Sequence, residues 1–121
     1  MKIFLIGPMG SGKSKIGRIL SEKLSISLFD IDKEIEKDLN MSITEIFASK
    51  GEIFFRNTET DYLIKTKGLR DCIVSTGGGV VEEIKNLEFL RKEANVVFLN
   101  CSVESQYENT KNSAKRPLLL T

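Results

Sequence analysis

The sequence predicts an α/β fold, a doubly wound parallel sheet with helices on both faces. Three observations predict it. Short segments that are apolar throughout, such as Ile3-Phe4-Leu5-Ile6, Ile73-Val74 and Val96-Val97-Phe98-Leu99, suit strands buried on both sides. The segments between them carry helical spacing and are long enough for right-handed crossovers between parallel neighbours. The chain also punctuates strand ends with glycine or aspartate, at Gly7, Asp30 and Gly77. Ligands of such sheets bind outside the carboxyl ends of the strands, so these positions are expected on one functional rim.

Residues 2–6 form the first expected strand, and Gly7-Pro8-Met9-Gly10-Ser11-Gly12-Lys13-Ser14 follows it directly. That is the Gly-x-x-x-x-Gly-Lys-Ser spacing of a phosphate-binding P-loop, placed between strand and helix as the motif requires. Glycine at 7, 10 and 12 lets backbone N–H groups converge on phosphate oxygens at a helix N-terminus. Lys13 reaches the β- and γ-phosphates of a nucleotide. Ser14 offers a hydroxyl to Mg²⁺, an ion held in such sites by few protein groups together with phosphates and water. A glycine-rich turn that merely joins strand to helix would match all the fixed positions in fewer than about one chain of this size in a hundred.

Ile16, Ile19, Leu20 and Leu24 recur at helical spacing and predict an amphipathic helix of about three turns. Leu28-Phe29 make a short second strand ending at Asp30-Ile31-Asp32, and Ile31, Ile35 and Leu39 carry a highly charged second helix. Ser42-Ile43-Thr44-Glu45 fits a capping box for a short helix containing Ile46 and Phe47, which Gly51 stops. From Glu52 to Lys67 a longer helix sets Phe55, Tyr62 and Leu63 on one face and Arg56 and Glu59 on neighbouring turns. Residues 72–76 read as the third strand, broken by Gly77-Gly78-Gly79. Ile84, Leu87, Phe89, Leu90 and Ala94 then lie on a helix, and residues 96–99 form a fourth buried strand. Ser102 is expected to cap a helix reaching to about Asn109, and residues 111–121 to form a mobile loop.

Composition narrows the function. At 121 residues the chain is expected to be a single domain. Its 18 Lys and Arg nearly balance 17 Asp and Glu, so the basic field that nucleic-acid binding requires is missing and no nucleic-acid partner is expected. Apolar runs are far shorter than the ~20 residues that span a bilayer, and the N-terminus enters a strand without a signal-peptide core. The expectation is a cytoplasmic protein without a membrane partner. Cys72 and Cys101 lack metal-ligand spacing and the chain has no histidine, so both read as reduced core thiols.

A nucleotide site can serve hydrolysis, switching or transfer. The third and fourth strands lack a terminal acid, and the chain contains neither D-x-x-G nor [NT]-K-x-D, so transfer to a bound small molecule is favoured over ATPase or GTPase chemistry. Asp30 can orient the magnesium shell while Asp32 accepts a hydrogen bond, and a proton, from an acceptor hydroxyl; either can instead be a helix cap. Arg56 can clamp an anionic acceptor group bidentately or simply pair with Glu59 at i, i+3. Gly77, Gly78 and Gly79 let backbone amides approach an acceptor, where a plain turn rarely needs three glycines. Phe47 and Phe55 read as core or pocket wall.

Taken together, these stretches resemble the shikimate kinase family, P-loop enzymes that phosphorylate the 3-hydroxyl of shikimate with Mg·ATP in aromatic amino acid biosynthesis. The resemblance runs from Gly-Pro-Met-Gly-Ser-Gly-Lys-Ser with Ile16-Gly17, through Phe29-Asp30-Ile31-Asp32, Ile46-Phe47, Gly51-Glu52, Phe55-Arg56 and Glu59, to Ser75-Thr76-Gly77-Gly78-Gly79 and Arg116-Pro117-Leu118-Leu119. It implies that Asp32 holds the shikimate hydroxyls, Arg56 the carboxylate, and Gly77, Gly78 and Gly79 the acceptor wall. It implies that Gly10, Ser11, Gly12, Lys13, Ser14, Lys111 and Arg116 bind ATP, with Lys13, Asp32 and Arg116 catalytic. Ser14 and, through water, Asp30 and Ser75 would hold Mg²⁺. A monomer is expected. Asn109 replaces the arginine the family commonly sets against adenine. The family pattern continues beyond residue 121 with the rest of a lid starting near 111–121, a fifth strand and a closing helix, so the chain is expected to be an incomplete kinase domain. Gluconate and nucleoside-monophosphate kinases, and a P-loop module without turnover, are the alternatives.

Overall fold

The computed structural model describes residues 1–8, 10–93 and 95–99. Four parallel strands, β1 (Lys2–Ile6), β2 (Ser27–Asp30), β3 (Cys72–Ser75) and β4 (Val96–Phe98), make one sheet in the order β2-β3-β1-β4. In register, Phe4 lies beside Val74 and Val96, and Asp30 beside Ser75. Phe4, Leu5, Ile73 and Val74 are completely buried, which is why β1 and β3 read as apolar throughout. The predicted helix from Ser102 to Asn109, Cys101 and the loop from 111 lie outside the described residues.

The two faces are covered by different means. Helix α1 (Lys13–Leu24) lies against Leu5, Leu28 and Ile73, and its closest approach is at Gly17, where an added Cβ would come 3.0 Å from Leu28 Cδ1. This corrects the expected stripe: Ile19, nearly opposite Gly17 on the helix, is exposed, and so is Leu24, the last residue of α1. On the other face α2 (Ile31–Leu39), α3 (Ile43–Lys65) and α4 (Ile84–Arg91) build the main core with Phe4 and Val74. Ile31, Ile35, Ile46 and Leu63 are fully buried there, and Phe89 meets Phe4 edge to face at 5.9 Å.

Helix α3 starts at the anticipated capping box. Ser42 accepts from the Glu45 N–H at 3.1 Å and the Glu45 carboxylate accepts from the Ser42 N–H at 3.2 Å. Gly51 interrupts the helix as expected, with a non-helical φ of 89° and ψ of 167° that is essentially reserved for glycine, and a second helical stretch continues directly after it. Phe47 and Phe55 stack across the kink at 5.0 Å. The second half closes in a 3-10 turn, Thr66–Gly68.

Among the described residues β4 pairs with β1, and its Val97 and Phe98 are exposed. One further expectation changes. Ile84, read as a core position of α4, is 71% exposed, whereas Phe89 and Leu90 of the same helix are buried. Its place in the first turn points it away from the sheet. Cys72 is a free, buried thiol, as anticipated, and burial pushes its pKa up.

Candidate active site

The strand ends gather the predicted site on one rim. The loop after β1 runs into α1, whose cap is Gly12 at φ 88° and ψ 19°, a left-handed conformation that glycine takes without steric cost. Lys13 is buried and its ammonium donates to the carbonyls of Gly7 and Pro8, wrapping the loop around its own cation. The Ser11 hydroxyl oxygen is buried and has no hydrogen-bond partner among the described residues. Gly10 has φ 83°.

Ser14, in the first turn of α1, donates its hydroxyl to Asp30 Oδ2 at 3.2 Å. Asp30 also caps α2, accepting from the Lys33 N–H at 3.3 Å, so capping and a functional role are compatible in one carboxylate. Ser75 sits beside it across the β2–β3 ladder. Ser14, Asp30 and Ser75, far apart in sequence, are thus brought together as a set of hard oxygen donors, the chemistry that suits Mg²⁺.

Beside this set lies a second cluster. Arg56 and Glu59, one turn apart on α3, are both buried, and Arg56 Nη1 donates to Glu59 Oε1 at 3.1 Å. Arg56 makes the expected i, i+3 pair with Glu59, and its buried Nη2 has no hydrogen bond among the described residues but lies 3.6 Å from the Glu52 carboxylate. Asp32, in the first turn of α2, is buried close by. Burial first, and the Asp32 carboxylate second, push the Glu59 pKa up to about 7, against the lowering pull of Arg56. Glu59 Oε2 has no hydrogen-bond partner among the described residues.

The triple glycine lets these charges pack against backbone. A Cβ at Gly77 would come 2.5 Å from Glu59 Oε2 and 3.0 Å from Asp32 Oδ1, and one at Gly79 would come 2.5 Å from Arg56 Nη1 and 2.8 Å from its Cζ. Gly78 lies between them, half-buried. Thr76 anchors the strand end, its N–H and hydroxyl both donating to the Leu5 carbonyl at 3.2 and 2.8 Å. The i, i+3 spacing gives the Arg56–Glu59 pair but not its burial, assigns Thr76 to a strand without a role, and leaves Asn86 unmarked. Only burial marks them, and a charged residue at i, i+3 gives no sign of which side of a helix is covered. Lys111 and Arg116 lie outside the described residues. Among the described residues no helix is long and apolar enough to cross a membrane.

Comparison with known proteins agrees with this geometry. The family model for shikimate kinase matches residues 9–121. The shikimate kinase of Persephonella marina is 40% identical over 117 residues, covering 97% of this chain and 71% of that protein; the Marinomonas sp. enzyme is 43% identical over 121 residues, covering 98% and 66%. The chain thus spans about two thirds of the length of such curated relatives. Shikimate kinase from Acinetobacter baumannii, solved in complex with shikimate, superposes with a TM-score of 0.93 at 39% identity, covering 99% of this chain and 67% of that one. The Aquifex aeolicus enzyme superposes at 0.84, with 39% identity and coverage of 98% and 70%. A deoxyadenosine kinase from M. mycoides, at 18% identity and a TM-score of 0.59, shares the fold. On the family model over residues 9–121 and the relatives at about 40% identity, the chain belongs to the shikimate kinase family of ATP-dependent small-molecule kinases.

Proposed function

We propose that the chain seats shikimate against Asp32, Arg56 and the Gly77-Gly78-Gly79 turn, seats Mg·ATP on the P-loop, and transfers the γ-phosphoryl to the 3-hydroxyl. The observation that carries this reading is the Arg56 guanidinium, buried, held on one edge by Glu59, with a buried Nη2 that makes no hydrogen bond and has the exposed Glu52 carboxylate at 3.6 Å, where an acceptor carboxylate can take its place. A buried cation with an unused donor is stabilised by an anion, and the planar fork of arginine fits a carboxylate. Shikimate is such an acid, and it is the molecule bound in the related A. baumannii enzyme.

The remaining roles follow from position. Asp32 accepts the acceptor hydroxyl's hydrogen bond and takes its proton as the new P–O bond forms. Lys13 exchanges its loop carbonyls for phosphate oxygens and, with Arg116, stabilises charge on the transferring group. Ser14, with Asp30 and Ser75 through water, would hold Mg²⁺, which supplies neutralisation of phosphate charge when bound. Lys111 joins the nucleotide side. The protein acts as a cytoplasmic monomer on a small molecule, without nucleic-acid or membrane partners.

Coupled ADP release with and without shikimate tests this reading, with gluconate and nucleoside monophosphates as comparison acceptors. Shikimate-dependent turnover is expected. Nucleotide binding without turnover, or turnover with another acceptor alone, would overturn it. Arg56→Lys should raise the KM for shikimate well above any change in the KM for ATP, because an ammonium cannot reproduce a two-pronged hydrogen bond.

A further inference from the structure

Asn86 is completely buried although α4 is short and mostly solvated. Its amide donates to the Val80 carbonyl at 2.8 Å, while its Oδ1 has no hydrogen-bond partner among the described residues. The observed hydrogen bond of this buried amide goes to backbone rather than to another side chain, so what it fixes is a backbone segment. What the amide does hold is the turn after β3. That turn is built by Val80 N–H donating to Gly77 O at 3.2 Å and Glu82 N–H donating to Gly79 O at 3.1 Å, with the Val80 side chain buried beneath it. The Gly79 backbone lies directly on the Arg56 guanidinium, with no room for a Cβ between them. A chain of contacts thus runs from Asn86 through Val80 and Gly79 to the cation.

We propose that Asn86 is a positioning residue for the acceptor site: by clamping the Val80 carbonyl it fixes the Gly77–Glu82 turn against α4, and so holds Arg56 in the orientation in which its free edge meets the acceptor carboxylate. The inference rests on the shikimate reading above. Asn86 touches neither acceptor nor nucleotide, and its effect passes through the backbone at Gly79. Without the clamp the turn relaxes, the guanidinium gains room, and binding of the acceptor weakens while the P-loop, formed on the neighbouring strand, is undisturbed. Misplacement of a binding group by about 1 Å is enough to lose about a hundredfold.

Two variants of the full-length protein separate positioning from plain stability. Asn86→Leu removes the donor and the bare oxygen together, and Asn86→Asp keeps the shape and loses the donor. Both are expected to raise the Kd and KM for shikimate about ten- to a hundredfold, with the Kd for Mg·ATP unchanged. Asn86→Gln, which keeps an amide donor, should lie closer to wild type than either. A merely structural role would lower the Tm and the active fraction without moving the shikimate KM, and that result would overturn the inference. Should Asn86→Leu fail to fold, Asn86→Asp alone decides, and a wild-type shikimate KM in it would equally overturn it. Wild-type protein that binds Mg·ATP but not shikimate would instead overturn the functional reading and this inference with it; normal shikimate binding in wild type and variants alike would overturn this inference only.

Discussion

At the scale of single residues, two buried charges decide what the site can do. Lys13 holds the P-loop carbonyls, and on the proposed function it exchanges them for phosphate oxygens. Lys13→Ala should leave the circular dichroism spectrum intact and lower kcat by about 10²–10³ or more, roughly 3–4 kcal/mol of transition-state stabilisation; steady-state kinetics check it. Glu59 gives a pH signature. Its pKa is raised from 4.5 to about 7 on folding, chiefly by burial and then by Asp32, so between those values the native state binds more protons than the unfolded chain. Stability from this group is therefore complete below about pH 4.5 and lost as the pH rises through about 7, with a slope of up to about 1.4 kcal/mol per pH unit. Glu59→Gln should flatten that decline in urea denaturation measured from pH 5 to pH 8. An unchanged slope would show that another group titrates there.

At the scale of elements, local chemistry and tertiary packing share the work unequally. The capping box, the P-loop and the paired aspartates were legible in sequence, because each depends on residues a few positions apart. The break at Gly51 was legible as well, and so was the second helical stretch directly after it; what was not is Phe47 lying against Phe55 across the break. A Cβ at Gly51 would meet nothing within 4 Å, so the cost of Gly51→Ala is one of backbone strain alone. It should destabilise the protein by about 1–3 kcal/mol, read as a lowered denaturation midpoint with an unchanged m-value. A neutral substitution would mean that the two halves of α3 can rejoin as a straight helix. The exposed residues Ile19, Leu24 and Ile84 carry the same lesson: helical spacing was right, but Ile19 lies opposite the close approach at Gly17, and Leu24 and Ile84 are terminal residues of their helices.

At the scale of the whole molecule, the site and the core share β1 and β3, so ligand binding and global opening are linked. Cys72 reports that link, being a free thiol buried in β3 with its pKa pushed up by burial. In a Cys101→Ser background its labelling by a thiol reagent requires the sheet to open. Saturation with Mg·ADP or with shikimate at about 100 times its Kd adds about 2.7 kcal/mol and should slow labelling about 100-fold. Labelling that ignores both ligands would place the opening at the end of β3 alone. The sequence by itself determined the class of fold, the phosphate loop and most of the residues on the rim, because strand periodicity, glycine spacing and caps are properties of neighbouring positions. Tertiary structure alone decided that the described strands order as β2-β3-β1-β4, that the Arg56–Glu59 pair is buried beside Asp32, and that Gly77 and Gly79 are the backbone on which those charges rest. The physical reason is burial: whether a charge meets water or another charge depends on strand order and helix packing across the whole chain, which no local spacing encodes.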